Sequence, residues 1–197
     1  MVCSIDASPE DLAEAKVRAE LAAADDPLGG SGRIAWSGSM FPAVALVKGE
    51  PGDGDRVAGS ALAGPDGDAA RKALDALGAA GEVWSTVSRP APDLEPDVVA
   101  ARLRAQLLAV DPTIVVALDA VAAADLAAGF GLPALAFGVP VVAQGMTLLA
   151  VDGLEASLGD EDRKREVWQH FRGLNRPAVH PESTQGTRRR PDGSSLF

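Results

Sequence analysis

Thr113-Ile114-Val115-Val116-Ala117-Leu118 is the stretch that decides the fold of this chain. Its residues are apolar or β-branched throughout, which is typical of a strand buried on both faces in the middle of a sheet. A helical pattern at residues 97–110, stopped by Asp111-Pro112, comes before it, and residues 120–128 form another helical pattern after it. The stretch is therefore predicted to be a central strand between two helices.

The same alternation of strands and helices extends towards both ends of the chain. Helices are predicted at residues 9–24, 68–77 and 160–173, and extended segments at residues 43–47, 83–87, 140–142 and 147–151. Alternation of this kind predicts an α/β fold, in which a central, mostly parallel sheet lies between two helical layers as a three-layer α/β/α sandwich. In such sheets ligands bind at the carboxyl ends of the strands.

Length and composition predict one domain and a tail. The chain has 197 residues, of which 47% are hydrophobic, enough for one buried core. Residues 1–174 carry the periodic segments, whereas residues 175–197 are rich in Arg, Pro, Ser, Thr and Gly. Such a segment has little to bury, so we expect a disordered basic tail that ends in an interaction peptide.

The charge of the chain is strongly negative. The net charge is −10, but residues 175–197 contain four arginines against two acidic residues, which leaves −12 for residues 1–174. Proteins that bind duplex DNA usually present a basic surface, because phosphates repel carboxylates. We therefore expect DNA binding to be weak or indirect.

A single cysteine, Cys3, cannot ligate an iron–sulfur cluster or a structural zinc site, and no cofactor is predicted. No stretch approaches the roughly 18 consecutive apolar residues of a membrane span, so no membrane partner is predicted. We expect a cytoplasmic protein.

Five stretches, in this order, resemble the small bacterial and archaeal uracil-DNA glycosylases that carry an iron–sulfur cluster. They are Val44-Ala45-Leu46-Val47-Lys48-Gly49-Glu50-Pro51-Gly52, Ser60-Ala61-Leu62-Ala63-Gly64, Val87-Ser88-Arg89-Pro90, residues 101–118 and residues 162–168. The resemblance covers residues 5–174 and implies a uracil-DNA glycosylase-like fold.

In that family a nucleotide is rotated out of the DNA stack and its glycosidic bond is hydrolysed. An acidic side chain orients water, an aromatic ring stacks on the base, and a His-Pro histidine stabilises the departing uracil anion. The resemblance pairs the acidic position with Gly49 when no gap is allowed, and with Glu50 after a one-residue deletion. It pairs the aromatic position with Leu62 and the histidine with Asp152, and the four cluster cysteines are missing.

The resemblance places Gly49, Pro51, Gly52, Leu62 and Asp152 around a base pocket. Glu50 and Asp55 are the candidate catalytic carboxylates. They can also be interpreted as solvated loop carboxylates that cap the next helix.

The chain contains two histidines, His170 and His180. His180-Pro181 matches the missing motif in type, but it lies beyond the last predicted helix, in the tail. His170 lies inside that helix and is interpreted as a partly exposed surface residue.

Three functional hypotheses follow. The first is a catalytically degenerate member of the glycosylase superfamily that acts as a binding or scaffold module in DNA repair or replication. The second is an active DNA glycosylase that removes uracil or another damaged base using Glu50 or Asp55. The third, an unrelated doubly wound hydrolase or nucleotide-binding protein, lacks both the Gly-x-x-x-x-Gly-Lys-Ser/Thr loop and the Gly-x-Ser-x-Gly elbow.

Gly193-Ser194-Ser195-Leu196-Phe197 resembles the peptide by which bacterial repair proteins dock on the sliding clamp, typically Gln-Leu-Ser/Asp-Leu-Phe. Ser195, Leu196 and Phe197 match, whereas Gly193 replaces the glutamine. An exposed Leu-Phe pair after a polar stretch is suited to burial in a partner's groove. A protein partner, such as the sliding clamp, is therefore predicted.

A synthetic peptide of residues 186–197 is expected to bind the sliding clamp of the source organism with micromolar affinity in calorimetry. Burial of two apolar side chains contributes roughly 1.5–3 kcal/mol each, offset by the cost of ordering the peptide. Gly193→Gln should tighten binding, and Leu196→Ala with Phe197→Ala should abolish it. Absence of heat from both the wild-type and the Gln peptides would rule out this partner.

Overall fold

A computed structural model describes residues 8–29, 34–79 and 81–180 of the chain. Within them the helices are α1 (Pro9–Asp25), α2 (Asp53–Ala58), α3 (Pro65–Ala76), α4 (Pro96–Val110), α5 (Ala120–Gly129), α6 (Leu154–Ser157) and α7 (Glu161–Phe171). The strands are β1 (Ser37–Gly38), β2 (Val44–Lys48), β3 (Val83–Val87), β4 (Ile114–Ala117), β5 (Val141–Ala143) and β6 (Met146–Ala150). None of the described helices has the length and apolarity that crossing a membrane requires.

The six strands form one mixed sheet in the order β1-β3-β2-β4-β6-β5. The four inner strands are parallel to one another, and the two short edge strands run antiparallel to their neighbours. The predicted α/β fold with a mostly parallel sheet is confirmed.

Side chains of the inner strands alternate between two cores, which makes the fold three-layered. On β2, Ala45 and Val47 pack in the core that contains Leu21 of α1 and Leu103 of α4. Val44 and Leu46 point the other way, into the core that holds α3 and α7. Each inner strand is buried on both faces, which explains its nearly continuous apolar sequence.

The order of the strands creates a crevice at the carboxyl end of the sheet. The chain passes from β2 to β3 on one side, and then to β4 on the other side of β2. The loops that leave β2 and β4 therefore diverge, and a ligand site is expected between them. These two loops begin at residues 48–55 and 118–121, at the end of the sheet where ligand binding is predicted.

The structure corrects the predicted elements in two places. The stretch predicted as a loop over residues 48–55 runs into α2, whose amino end is capped by Asp55. The predicted last extended segment is a hairpin of β5 and β6, because Gln144 and Gly145 adopt φ values of 52° and 84°. Positive φ at both central residues is what a two-residue hairpin turn requires.

The ordered body also differs from the predicted boundary at residue 174. Val179 N–H donates to Pro140 O at 2.8 Å, and Val142 N–H donates to Val179 O at 2.9 Å. Val179 thus forms an isolated parallel β-bridge with Val141 of β5, although its side chain is exposed.

Val179→Pro is expected to lower the free energy of unfolding of the full chain by about 1 kcal/mol more than Val179→Ala. Proline removes the N–H that donates to Pro140, whereas alanine keeps both backbone hydrogen bonds. Urea denaturation of the two variants measures the difference. Equal stabilities would show that this pairing contributes nothing.

Candidate functional site

A cavity of about 570 Å³ opens at the carboxyl ends of β2, β4 and β6. Its described lining is Lys48, Glu50, Asp66, Leu118, Asp119, Ala120, Val121, Asp152, Gly153, Leu154, Glu155 and Ala156. Five of these side chains are carboxylates, and Lys48 is the one cationic member of that lining. We call this space the acidic cavity.

Lys48, the last residue of β2, contacts three carboxylates at the acidic cavity. Its Nζ donates to Asp66 Oδ2 at 2.7 Å and to Asp55 Oδ2 at 3.1 Å. Glu155 Oε2 lies 2.8 Å from the same nitrogen. We call these four side chains the Lys48 cage; it joins β2 to α2, α3 and α6.

Two of the three N–H donors of the ammonium group are used in hydrogen bonds to Asp66 and Asp55, and the ion pair with Glu155 adds a third carboxylate. Lys48, Asp55 and Asp66 are almost completely buried, whereas the Glu155 side chain is 55% exposed. One positive charge therefore faces three carboxylates, and Glu155 is the member that water can reach.

Burial on its own would lower the pKa of Lys48. Its hydrogen bonds to Asp66, Glu155 and Asp55 outweigh that effect and raise the pKa above the ordinary value for lysine. Lys48 is therefore charged throughout the physiological range and cannot act as a nucleophile or a general base there.

Gly52 explains why a glycine precedes α2. A Cβ atom at this position would lie 2.6 Å from Glu155 Oε1 and 2.7 Å from Lys48 Nζ. A side chain there would push into the contact between these two groups. The glycine that the resemblance assigned to a base pocket thus allows the Lys48 cage to close.

Asp119 joins the loop after β2 to the start of α5. Its Oδ2 accepts a hydrogen bond from Gly49 N–H, and its Oδ1 accepts one from Ala122 N–H, both at 2.8 Å. A Cβ atom on Gly49 would lie 2.6 Å from Asp119 Oδ1. Gly49 is therefore a packing and positioning residue at the edge of the acidic cavity.

Glu50 is exposed and borders both the acidic cavity and a second one of about 740 Å³. Pro51, Arg56 and Arg89 also line this second cavity, which we call the arginine groove. Asp125 holds Arg89 through two hydrogen bonds of 2.9 and 3.0 Å, which raise the pKa of the guanidinium. Asp93 lines the arginine groove as well, so Glu50 lies at the boundary between the acidic cavity and a groove of mixed charge.

Asp152, which the resemblance pairs with the histidine, lines the acidic cavity beside α6. Its backbone N–H donates to His170 Nδ1 at 3.4 Å, and the imidazole stacks on Phe137 with 5.7 Å between ring centroids. His170, predicted as a partly exposed surface residue, is half-buried in α7 next to this loop.

Two other candidates lie away from open solvent. Asp55 is 1% exposed, and its oxygens accept hydrogen bonds from Lys48, Gly52 N–H and Ala63 N–H. The interpretation that Asp55 caps the next helix is confirmed, but the group is buried rather than solvated. Leu62 is 1% exposed in the core beside α3 and is not among the described residues that line the acidic cavity.

The tail candidates are placed only in part. His180 is exposed and follows the pairing of Val179 with β5, at the sheet edge three positions away from β4. It does not line the acidic cavity. Pro181, Ser195, Leu196 and Phe197 lie outside the described residues, so the role of the last three stays a prediction.

The residues that sequence reasoning missed are Lys48, Asp66, Asp119 and Glu155. Lys48 and Asp119 had a usable signal, because each directly follows a predicted strand at the end where ligands bind. Nothing local marks Asp66 and Glu155, since their side chains reach Lys48 only when separate elements pack together.

Among residues 8–29, 34–79 and 81–180, no group of three or more His, Cys, Asp or Glu side chains could hold a metal ion. Comparison with known proteins finds no family model that matches the chain and no curated protein that is similar to it.

Lys48→Met is expected to lower the free energy of unfolding by about 3–5 kcal/mol, because it leaves Asp55 and Asp66 buried without their counter-ion. Lys16→Met, which replaces an exposed lysine, should change it by less than about 0.5 kcal/mol. Urea denaturation measures both values. A change of similar size in the two variants would contradict the role assigned to the Lys48 cage.

The free energy of unfolding of Lys48→Met, measured against wild type at several pH values, tests the direction of the pKa shift of Lys48. Since the pKa of Lys48 is raised on folding, its stabilisation is complete below the unfolded pKa of about 10.4 and is lost as the pH rises through the folded value. The deficit of Lys48→Met should therefore be constant between about pH 7 and 9, and shrink only in more alkaline solution.

Proposed function

We propose that this protein is a glycosylase-like binding module that acts in DNA repair or replication, and that it does not excise bases. The observation that carries the proposal is the charge of the acidic cavity: five carboxylates line it, and its one cationic side chain, Lys48, is already paired with three carboxylates.

Base excision creates negative charge on the departing base. Enzymes that catalyse such steps aim hydrogen-bond donors at the position where this charge develops. The acidic cavity is lined by carboxylates instead of donors, and the resemblance pairs Asp152 with the histidine. Carboxylates raise the energy of an anionic transition state, so the lining opposes the reaction.

The stacking ring also has no counterpart in the described lining. No lining residue is aromatic, and the pairing of Leu62 with the stacking ring puts a core residue at that position. Of the two candidate carboxylates, Asp55 is buried and its oxygens already accept three hydrogen bonds, which leaves it poorly placed to orient water. This supports binding rather than hydrolysis.

The partner we propose is a protein, with the sliding clamp as the leading candidate. The peptide Ser195-Leu196-Phe197 supports this choice, and it rests on sequence. The net charge of −12 over residues 1–174 supports weak or indirect contact with DNA.

An active DNA glycosylase is the second candidate, and Glu50 favours it. Its carboxylate is exposed at the carboxyl end of β2, and Arg56 and Arg89 line the groove on its other side. A water molecule could reach Glu50, and the arginines could meet phosphates.

An excision assay on single- and double-stranded uracil DNA separates the two candidates. We expect no excision above background, since losing a single donor costs on the order of 10² in rate and several groups differ here. Wild type, Glu50→Gln and Glu10→Gln are compared, Glu10 being an exposed residue of α1. Excision that Glu50→Gln abolishes and Glu10→Gln preserves would establish the second candidate instead.

A further inference from the structure

The acidic cavity carries more negative charge than its own cations balance. The Lys48 cage holds one ammonium against three carboxylates, and Asp119, Asp152 and Glu50 add to the same space. Arg89 acts electrostatically on Glu50 and Asp119, but Asp125 already binds its guanidinium. At the end of the acidic cavity formed by Asp152 and Glu155, Lys48 is the one cationic side chain in the described lining.

Excess negative charge in a partly enclosed space attracts a cation more strongly than the same charge spread over a convex surface. Apolar residues, among them Leu118, Val121 and Leu154, form the rest of the wall. Arginine suits such a site, because its planar guanidinium binds carboxylates through paired hydrogen bonds and packs its stem on apolar surface.

The chain itself contains a matching segment. Arg188-Arg189-Arg190 are three consecutive guanidinium groups, in the basic stretch whose sign opposes that of the body. We propose that this arginine run docks in the acidic cavity of its own chain. The proposal deepens the binding role proposed above and rests on it.

The length of the connection permits docking within one chain. His180 follows the pairing of Val179 with β5, and the eight residues from there to Arg188 can span about 26 Å. Val179 lies one position beyond β5 in the sheet, so it is three positions from β4 and four from β2, which corresponds to roughly 14–19 Å. Val179 runs parallel to β5 and antiparallel to the inner strands, so the segment has to turn back towards their carboxyl ends. The available length exceeds the separation, and the arginine run can therefore reach these ends.

Docking would also constrain the predicted clamp peptide, since four residues separate Arg190 from Ser195. A short tether gives an effective concentration in the millimolar range, so a site with millimolar affinity is about half occupied. Such a site would release the segment when a tighter partner competes for it.

Paramagnetic relaxation enhancement in the full chain tests the proposal. A spin label is attached to Ser194→Cys in a Cys3→Ser background, and amide peak intensities are recorded for the ¹⁵N-labelled protein. We expect about twofold loss of intensity at Val121, Gly153 and Ala156, and little at Gly81 before the amino end of β3. Ionic strength of about 1 M, at which the Debye length is about 3 Å, should remove the effect.

Two sets of variants identify the contact. Arg188→Gln with Arg189→Gln and Arg190→Gln should restore the intensities, as should Glu50→Gln with Asp152→Asn. The matched control, Glu10→Gln with Asp75→Asn, removes two exposed carboxylates elsewhere and should leave the broadening unchanged.

Several results would overturn docking within the chain. They are no excess broadening at the cavity amides, broadening that survives either the arginine or the cavity substitutions, and broadening of ¹⁵N-labelled protein by a separate spin-labelled copy. The excision assay is independent of these results. Excision with intact docking would refute the proposed function alone, and loss of docking without excision would refute this inference alone.

Discussion

A single buried ammonium group determines the shape of the carboxyl end of the sheet. Lys48 ends the central strand β2 and binds carboxylates from α2, α3 and α6, so the loops that surround the cavity are fixed relative to one another. The arrangement is costly to build, because every charge in it must leave water, and it is costly to break, because removing one partner leaves the others unpaired. Gly52 is small enough to let the cage close. The buried part of the cage is structural, and Glu155 is its exposed member.

The order of segments suggests the chemistry of a DNA glycosylase, but the side chains at the carboxyl end of the sheet do not match that chemistry. A parallel sheet with a crevice between β2 and β4 suits many ligands, and a fold of this type does not determine a reaction. The side chains that line the crevice do so, and here they are mostly carboxylates. Such a lining destabilises an anionic leaving group and stabilises a bound cation. The arginine groove beyond Glu50 has a mixed lining, which combines Arg56 and Arg89 with Glu50 and Asp93.

Much of the fold could be predicted from sequence, because the burial of a helix or strand face shows in the local spacing of apolar residues. The run at residues 113–118 forms β4, and the predicted strand at residues 83–87 coincides with β3. The short α2 escaped prediction because its glycine and aspartate residues are equally typical of a loop. The site was harder to predict for a different reason. Asp55 looked solvated, since a single sequence shows the charge of a residue but not the distant partner, Lys48, that allows it to be buried. Leu62 looked like part of a pocket, yet it packs into the core.

The most direct test of the central claim is which charge the acidic cavity selects. Amide chemical shifts of the full chain can be followed while uracil and, separately, argininamide are titrated in. The account predicts saturable shifts at Val121, Gly153 and Ala156 with argininamide, which Glu50→Gln with Asp152→Asn weakens, and no saturable shifts there with uracil. Saturable binding of uracil at these amides, with no response to argininamide, would contradict it.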